Sequence, residues 1–202
     1  MQNATHSRSP LDTIRRTICV DGHAGETVLY ETELAKQFGM SRTPIRQILQ
    51  RLAYERLVFT KSGVGTVVAP LDPENRVRDF VTLQGLMGAV LLHEIPPLDA
   101  SRHADVLALD GFARVLEPGD SDMLYELLAR LHGCLGGLIP DPVLLDAFSA
   151  AFWRVTRWYM ADLHAAPDAV RDTLCALTGD AAAYEGRAAA DLFERVSRHI
   201  TA

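Results

Sequence analysis

Glu31-Thr32-Glu33-Leu34-Ala35-Lys36-Gln37-Phe38-Gly39-Met40-Ser41-Arg42-Thr43-Pro44-Ile45-Arg46-Gln47-Ile48-Leu49-Gln50-Arg51-Leu52 spaces its apolar residues as two short helices separated by a tight turn. Leu34, Ala35 and Phe38 share one helical face, and Gly39 can take the left-handed conformation that stops a helix. Ser41 and Thr43 offer capping hydroxyls, and Pro44 fits a first helical turn, where its missing N–H would have no intrahelical partner. Ile45, Ile48, Leu49 and Leu52 form the single apolar face of the second helix, so Arg42, Arg46, Gln47, Gln50 and Arg51 project elsewhere. A short turn followed by a helix that is polar at its N-terminal end is the geometry of a helix-turn-helix whose second helix enters a major groove. The chemistry fits: arginine bonds bidentately to guanine or phosphate, glutamine to adenine, and unpaired N–H groups at a helix start favour a phosphate oxygen.

Downstream, Val58-Phe59-Thr60 and Thr66-Val67-Val68 flank Lys61-Ser62-Gly63-Val64-Gly65, which reads as a β-hairpin wing around a glycine turn. Gly63 and Gly65 let the backbone approach a groove or phosphate closely, with Lys61 beside them. Residues 41–61 carry Arg42, Arg46, Arg51, Arg56 and Lys61 against Glu55 alone, a local balance of +4 in a chain whose net charge is −6. Many small helical domains contain a short interhelical turn, and arginines on a helix are commonly a solvated face. The wing in register and the concentrated positive charge favour binding of duplex DNA instead.

Over this first third, the chain resembles the GntR family of bacterial winged helix-turn-helix regulators. The resemblance runs through Leu29-Tyr30-Glu31-Thr32-Glu33-Leu34-Ala35, then Gly39 to Leu52, then Gly63-Val64-Gly65-Thr66-Val67-Val68. Ile14 to Cys19, with Gly22 and Gly25-Glu26, is similar to the family's first helix and following loop. The resemblance implies that Ser41, Arg42, Thr43, Arg46 and the wing glycine Gly63 meet DNA. Gln47 and Lys61 join them by their chemistry and position. Position 32, commonly an arginine reaching DNA in relatives, is Thr32 here, so that contact is missing.

The 202-residue length fits a small domain plus one of ordinary size, and charge divides the chain accordingly. Residues 1–70 hold nine Lys and Arg against six Asp and Glu, for +3, whereas residues 71–202 hold eleven against twenty, for −9. A negative second part repels DNA and is expected to face away from it. Cys19, Cys134 and Cys175 are isolated and odd in number, which argues against a disulfide framework and for a reducing cytoplasm. No apolar run is long enough to span a bilayer, and Met1 to Pro10 lacks the hydrophobic core of a signal peptide. The expected layout is therefore a disordered tail over 1–10, a winged helix-turn-helix over 11–70 and an all-α domain over 71–202.

In the second part, Pro96-Pro97, Pro118-Gly119-Asp120, Pro140-Asp141-Pro142, Pro167-Asp168 and Thr178-Gly179-Asp180 punctuate an otherwise helical pattern. The expected helices cover 74–94, 101–116, 121–138, 142–164, 168–177 and 180–200, forming an antiparallel bundle without a sheet. The fold class is mainly α. Such a bundle behind a GntR-type domain resembles the FadR-like branch, whose C-terminal domain binds an effector in the bundle interior and dimerises. Leu124 to Phe148, with Arg130-Leu131-His132 before Asp141-Pro142-Val143-Leu144-Leu145, resembles one segment of that domain. Arg195-Val196-Ser197-Arg198-His199-Ile200 resembles its last helix.

Many members of that branch hold a divalent metal with one aspartate and three histidines. Here His132 and His199 match, but Leu128 stands where the aspartate would be, and the middle histidine falls near Ala176 and Leu177. Two ligands bind weakly where protein zinc sites need three or four, so no metal and no other cofactor is expected. His164 is a third ligand only if the fold happens to bring it close. An arginine that commonly anchors an acidic effector in the first bundle helix is also missing, since that neighbourhood reads Leu83-Gln84-Gly85-Leu86. A surviving pocket would take a more apolar small-molecule effector, lined by His132, Trp153, Tyr159 and His199, with Trp158 also a candidate. The bland reading makes His132 a core histidine and the aromatics plain packing beside Phe152 and Val155.

No phosphate loop, nucleophile elbow or supported carboxylate pair is present, so no catalytic residue is assigned and an enzyme is not expected. A redox switch at Cys134 is disfavoured, because His132 two residues away on a helix does not face it. The reading is a cytoplasmic homodimeric repressor that binds a palindromic operator of double-stranded DNA, answers to a small-molecule effector and does not associate with a membrane. The alternative is a constitutive dimeric DNA-binding protein whose bundle has lost its effector.

Overall fold

The computed structural model describes residues 9–22, 27–117, 119–178 and 188–200. Most of the expected tail, Gly25-Glu26, Pro118, Gly179-Asp180 and the first part of the expected last helix lie outside these residues. The chain divides into two compact units, 1–70 and 71–202.

The first unit opens with α1 (Pro10–Asp21), started by Pro10 and capped by the Ser9 hydroxyl, which accepts from the Asp12 N–H at 3.1 Å. Ser9 and Pro10 thus belong to a helix start and not to a tail, because a capping serine followed by proline is itself an initiation signal. β1 (Val28–Leu29) leads into α2 (Glu31–Phe38) and α3 (Arg42–Tyr54), and β2 (Val58–Lys61) and β3 (Gly65–Val68) close the unit. The three strands form an antiparallel sheet in the order β1-β3-β2, with Val58 opposite Val68 and Lys61 opposite Gly65. α2 stops where Gly39 adopts φ +63°, which lets the Met40 N–H return to the Ala35 carbonyl at 2.9 Å. Ile14, Ile18, Leu34, Ile45, Leu49, Leu52, Leu57, Val58 and Val67 are buried together as the core. α3 ends without a glycine: Arg56 itself takes φ +59°, and Leu57 N–H reaches back to the Leu52 carbonyl at 3.0 Å.

A buried ion pair ties α1 to the C-terminal end of α3. Arg15 donates from Nε to Glu55 Oε2 at 2.9 Å and from Nη2 to Oε1 at 2.7 Å, forming a fork on a carboxylate whose side chain is only 2% exposed. Arg51, one turn before Glu55, donates to the same carboxylate at 3.2 Å.

In the second unit, a 3-10 turn at Pro73–Asn75 precedes α4 (Arg76–Val90), α5 (Ala100–Arg114), α6 (Ser121–Gly136), α7 (Pro142–Ala165), α8 (Pro167–Thr178) and α9 (Ala189–His199). Asp99, Asp120 and Asp141 cap three of these helices through their side-chain oxygens, at 2.9, 2.9 and 2.8 Å. The first bundle helix is shorter than its periodicity predicts. Asp72 and Pro73 organise a separate 3-10 turn, and α4 ends at Val90, where the Leu91 and Leu92 N–H groups close turns onto the Met87 and Ala89 carbonyls. α7 packs against α4, α6 and α8. It is buried nearly all round, from Phe148 and Phe152 on one face to Val155, Tyr159 and Leu163 on others, as the central helix of a bundle must be. Among the described residues no helix is long and apolar enough to cross a membrane.

Candidate nucleic-acid interface

The first turns of α3 present Ser41, Arg42, Thr43, Arg46 and Gln47 to solvent, while Ile45 and Leu49 point into the core. Burial with a period of three to four residues produces this division: anchoring positions 45, 49 and 52 turns positions 42, 43, 46, 47 and 50 outward. Ser41 occupies the N-cap position, but contrary to the sequence expectation its hydroxyl makes no capping bond. The start of α3 therefore lacks that side-chain cap and keeps N–H groups for an anion.

The wing lies beside this helix. Between β2 and β3, Val64 N–H bonds to the Lys61 carbonyl at 3.1 Å, and Gly63 and Gly65 adopt φ +75° and +126°, values that side-chain-bearing residues rarely take. Lys61 and Gly63 are exposed at this tip. A groove of about 390 Å³ runs along the unit, lined by Arg46 and Gln50 from α3, Thr60 and Thr66 from the strands, and Tyr30 and Glu31 at the start of α2.

One partnership escaped sequence reasoning. Glu31, the first residue of α2, accepts from Arg46 Nε at 3.1 Å and from Arg46 Nη2 at 3.0 Å. The hydrogen bond from Arg46, with Arg42 adding positive potential, holds the Glu31 carboxyl below its usual range, and the same bond pushes the Arg46 guanidinium up. The pair joins residues fifteen apart in sequence, so no local spacing marks it. Thr32, beside Glu31, is exposed.

Of the bundle residues singled out from the sequence, His132 and Trp153 meet, and Tyr159 lies elsewhere. His132 Nε2 lies 3.0 Å from Ser149 Oγ, and its ring packs against Phe148, Phe152 and Trp153 with centroids 5.7, 5.3 and 4.8 Å away. Trp153 in turn stacks on Tyr125 at 5.8 Å. Tyr159 instead meets the edge of Phe80 at 5.7 Å and lines a different cleft, of about 320 Å³, with Arg76, Asp162, Ala169 and Thr173. Six residues along a helix amount to about 600°, which sends Trp153 and Tyr159 to different faces. Trp158 donates from Nε1 to Asp79 at 3.1 Å. His199 is half-buried in the last turn of α9 and His164 is exposed near the end of α7. Among the described residues no three His, Cys, Asp or Glu side chains gather closely enough to hold a metal ion.

Residues 13–68 match the model of the family described as bacterial regulatory proteins, gntR family. An uncharacterised HTH-type transcriptional regulator in the TAR-I ttuE-ttuC' intergenic region of Agrobacterium vitis is 33% identical over 79 residues, covering 39% of this chain. The chain spans just under half of that curated relative's length, 46%. Across nearly the whole chain the fold is similar to solved structures. One is E. coli McbR/YncC, with a TM-score of 0.62 at 16% identity over 95% of this chain and 91% of that one. Another, described as a GntR transcriptional regulator from Rhodococcus sp. RHA1, has a TM-score of 0.57 at 17% identity over 94% of each chain.

Proposed function

We propose that this chain, whose first unit is a GntR-type domain over residues 13–68, is a sequence-specific DNA-binding transcription regulator. The observation that carries the reading is the exposed set Arg42, Arg46 and Gln47 on the first turns of α3, beside a glycine wing tip and on the one strongly basic segment of an acidic chain. Arg42 and Arg46 supply charge and bidentate donors, Gln47 a donor–acceptor pair for a base edge, and Ser41 and Thr43 hydroxyls for the backbone. Lys61 and Gly63 at the wing tip follow the adjacent phosphates or minor groove.

The chain acts as a homodimer on a palindromic operator, each first unit taking one half-site. It represses by occupying the promoter, and a small molecule bound in the bundle shifts the equilibrium between DNA-competent and incompetent states. The cleft at Tyr159, walled by Ala165, Ala166, Ala169 and Val170 beside the Arg76–Asp162 ion pair, falls in the size range of small-ligand sites. The packing of His132 against Phe148, Phe152 and Trp153, and of Trp153 against Phe152, favours a structural role for these two over a ligand-lining one.

Titration of a labelled duplex library with the purified chain at increasing salt tests the reading. Expected are micromolar or tighter binding and an affinity that falls steeply with salt, with a shallower fall for Arg42→Ala, because each phosphate contact contributes about 0.9 to the logarithmic slope. Equal affinity of Arg42→Ala and the unaltered chain at every salt concentration would contradict it.

A further inference from the structure

We infer that Glu31 is a positioning residue for DNA reading: its carboxylate fixes the orientation of the Arg46 guanidinium so that Arg46 selects a base acceptor instead of joining whichever phosphate lies nearest. This rests on α3 being the recognition helix.

The contact geometry is the starting point. A guanidinium is a rigid plane with five N–H donors, and Glu31 engages its side edge, Nε at 3.1 Å and one N–H of Nη2 at 3.0 Å. The two Nη1 donors and the second Nη2 donor stay available on the far end of the plane. That end is the fork that matches the paired acceptors of guanine in a major groove, so Arg46 can keep Glu31 and still bond bidentately to a base. An arginine without such a brace retains its rotamers and can serve any acceptor within reach.

Fold stability does not account for the carboxylate. The two side chains are 62% and 32% exposed, and pairs of this kind contribute little to folding. A carboxylate on a DNA-facing surface also repels phosphates and subtracts from general affinity. Among the residues lining the adjacent groove, Glu31 is the only acid and Arg46 the only base, so the acid faces one cation at short range. Arg42 contributes at longer range. The arrangement exchanges general affinity for selectivity, because it both removes a free cation from the phosphate field and aims its donors.

A double-mutant cycle on the full chain separates this from a structural role. The affinities of the unaltered chain, Glu31→Gln, Arg46→Ala and the double variant are measured by fluorescence anisotropy on a selected operator duplex and on a random duplex, at several salt concentrations. Circular dichroism checks each fold. Glu31→Gln is expected to bind random duplex more tightly and to lose roughly five- to tenfold in the operator-to-random ratio, part of the discrimination of one bidentate base contact. Its salt slope should steepen by up to about 0.9 as Arg46 turns to phosphate. In the Arg46→Ala background the same substitution should leave the ratio unchanged. An operator-selective parent whose ratio survives Glu31→Gln, or falls equally without Arg46, would overturn this inference alone. A parent with no selectivity for any duplex would overturn the DNA-reading proposal and this inference with it.

Discussion

Replacing Glu55 with alanine should unfold the first unit at a temperature where the bundle is intact. Glu55 receives two hydrogen bonds from Arg15, at 2.9 and 2.7 Å, and a third from Arg51 at 3.2 Å, inside a region where Arg15 and Glu55 side chains are 7% and 2% exposed. Glu55→Ala takes from the buried Arg15 its two-bond partner and leaves it the half-exposed Asp12 at 2.9 Å, so the cost lies toward the lower end of the range of about 3–5 kcal/mol for breaking a buried pair. In a domain of this size each kcal/mol moves the melting midpoint by roughly 4–8 °C, so a fall of at least about 12 °C is expected. Two probes make the result local. Trp153 and Trp158 are the only tryptophans and both belong to the second unit, so their fluorescence follows the bundle, whereas far-ultraviolet circular dichroism follows the helices of both units. Glu55→Ala should bring an early dichroism transition with little change in the tryptophan midpoint. Changing both partners, Arg15→Met with Glu55→Leu, should recover most of the loss, because no buried charge is then unpaired. A shift below about 4 °C in Glu55→Ala, equivalent to about 1 kcal/mol, would refute the argument that this pair clamps α1 to α3.

Three further outcomes are expected. Gly39→Ala should cost the first unit about 1–2 kcal/mol in urea denaturation purely through its left-handed backbone, since an added Cβ meets no atom within 4 Å there; an unchanged midpoint would contradict the turn geometry. His132→Ala should destabilise the bundle by about 2 kcal/mol or more through lost ring packing, while elemental analysis of tag-free protein finds less than one metal equivalent. Stoichiometric zinc or nickel that disappears in the variant would restore a metal role. The Cys134 thiol, pushed up to about 11 by burial and by Asp105, should be almost wholly protonated at pH 8, with a thiolate fraction of about one in a thousand. Because burial favours the neutral form, alkylation followed by mass spectrometry should be slow at pH 7 to 8, rise about tenfold per pH unit above that and level off near pH 11. Rapid modification at pH 7 would reopen a redox role.

Local chemistry explains why the helix-turn-helix was legible. Leu34 and Phe38, then Ile45, Leu49 and Leu52, repeat at the helical period, and Gly39 and Gly63 sit where only unusual backbone angles connect the elements. Features missing from that reading depend on tertiary partners or carry too few residues for a pattern. β1 is two residues long, and α3 ends on Arg56 in a left-handed conformation that glycine or asparagine would normally announce. The Glu31–Arg46 and Arg15–Glu55 pairs join residues fifteen and forty apart. Gln84 was legible only as a missing cation. In the fold its amide donates to the Ser197 and Ile200 carbonyls at 3.1 and 2.8 Å, closing the C-terminal end of α9. Aromatic character groups Trp153 with Tyr159, and resemblance alone adds His132 and His199, whereas helical phase puts Trp153 against Tyr125 and Tyr159 against Phe80.

Selection of genomic DNA fragments by the purified full chain at physiological salt, run beside a variant with both Arg42→Ala and Arg46→Ala, addresses the regulator reading most directly. A palindromic motif should be enriched by the unaltered chain and lost in the variant, with the variant's circular dichroism spectrum unchanged. Enrichment of the same motif by both proteins, or of no motif by either, would contradict the assignment of α3 as the helix that reads DNA.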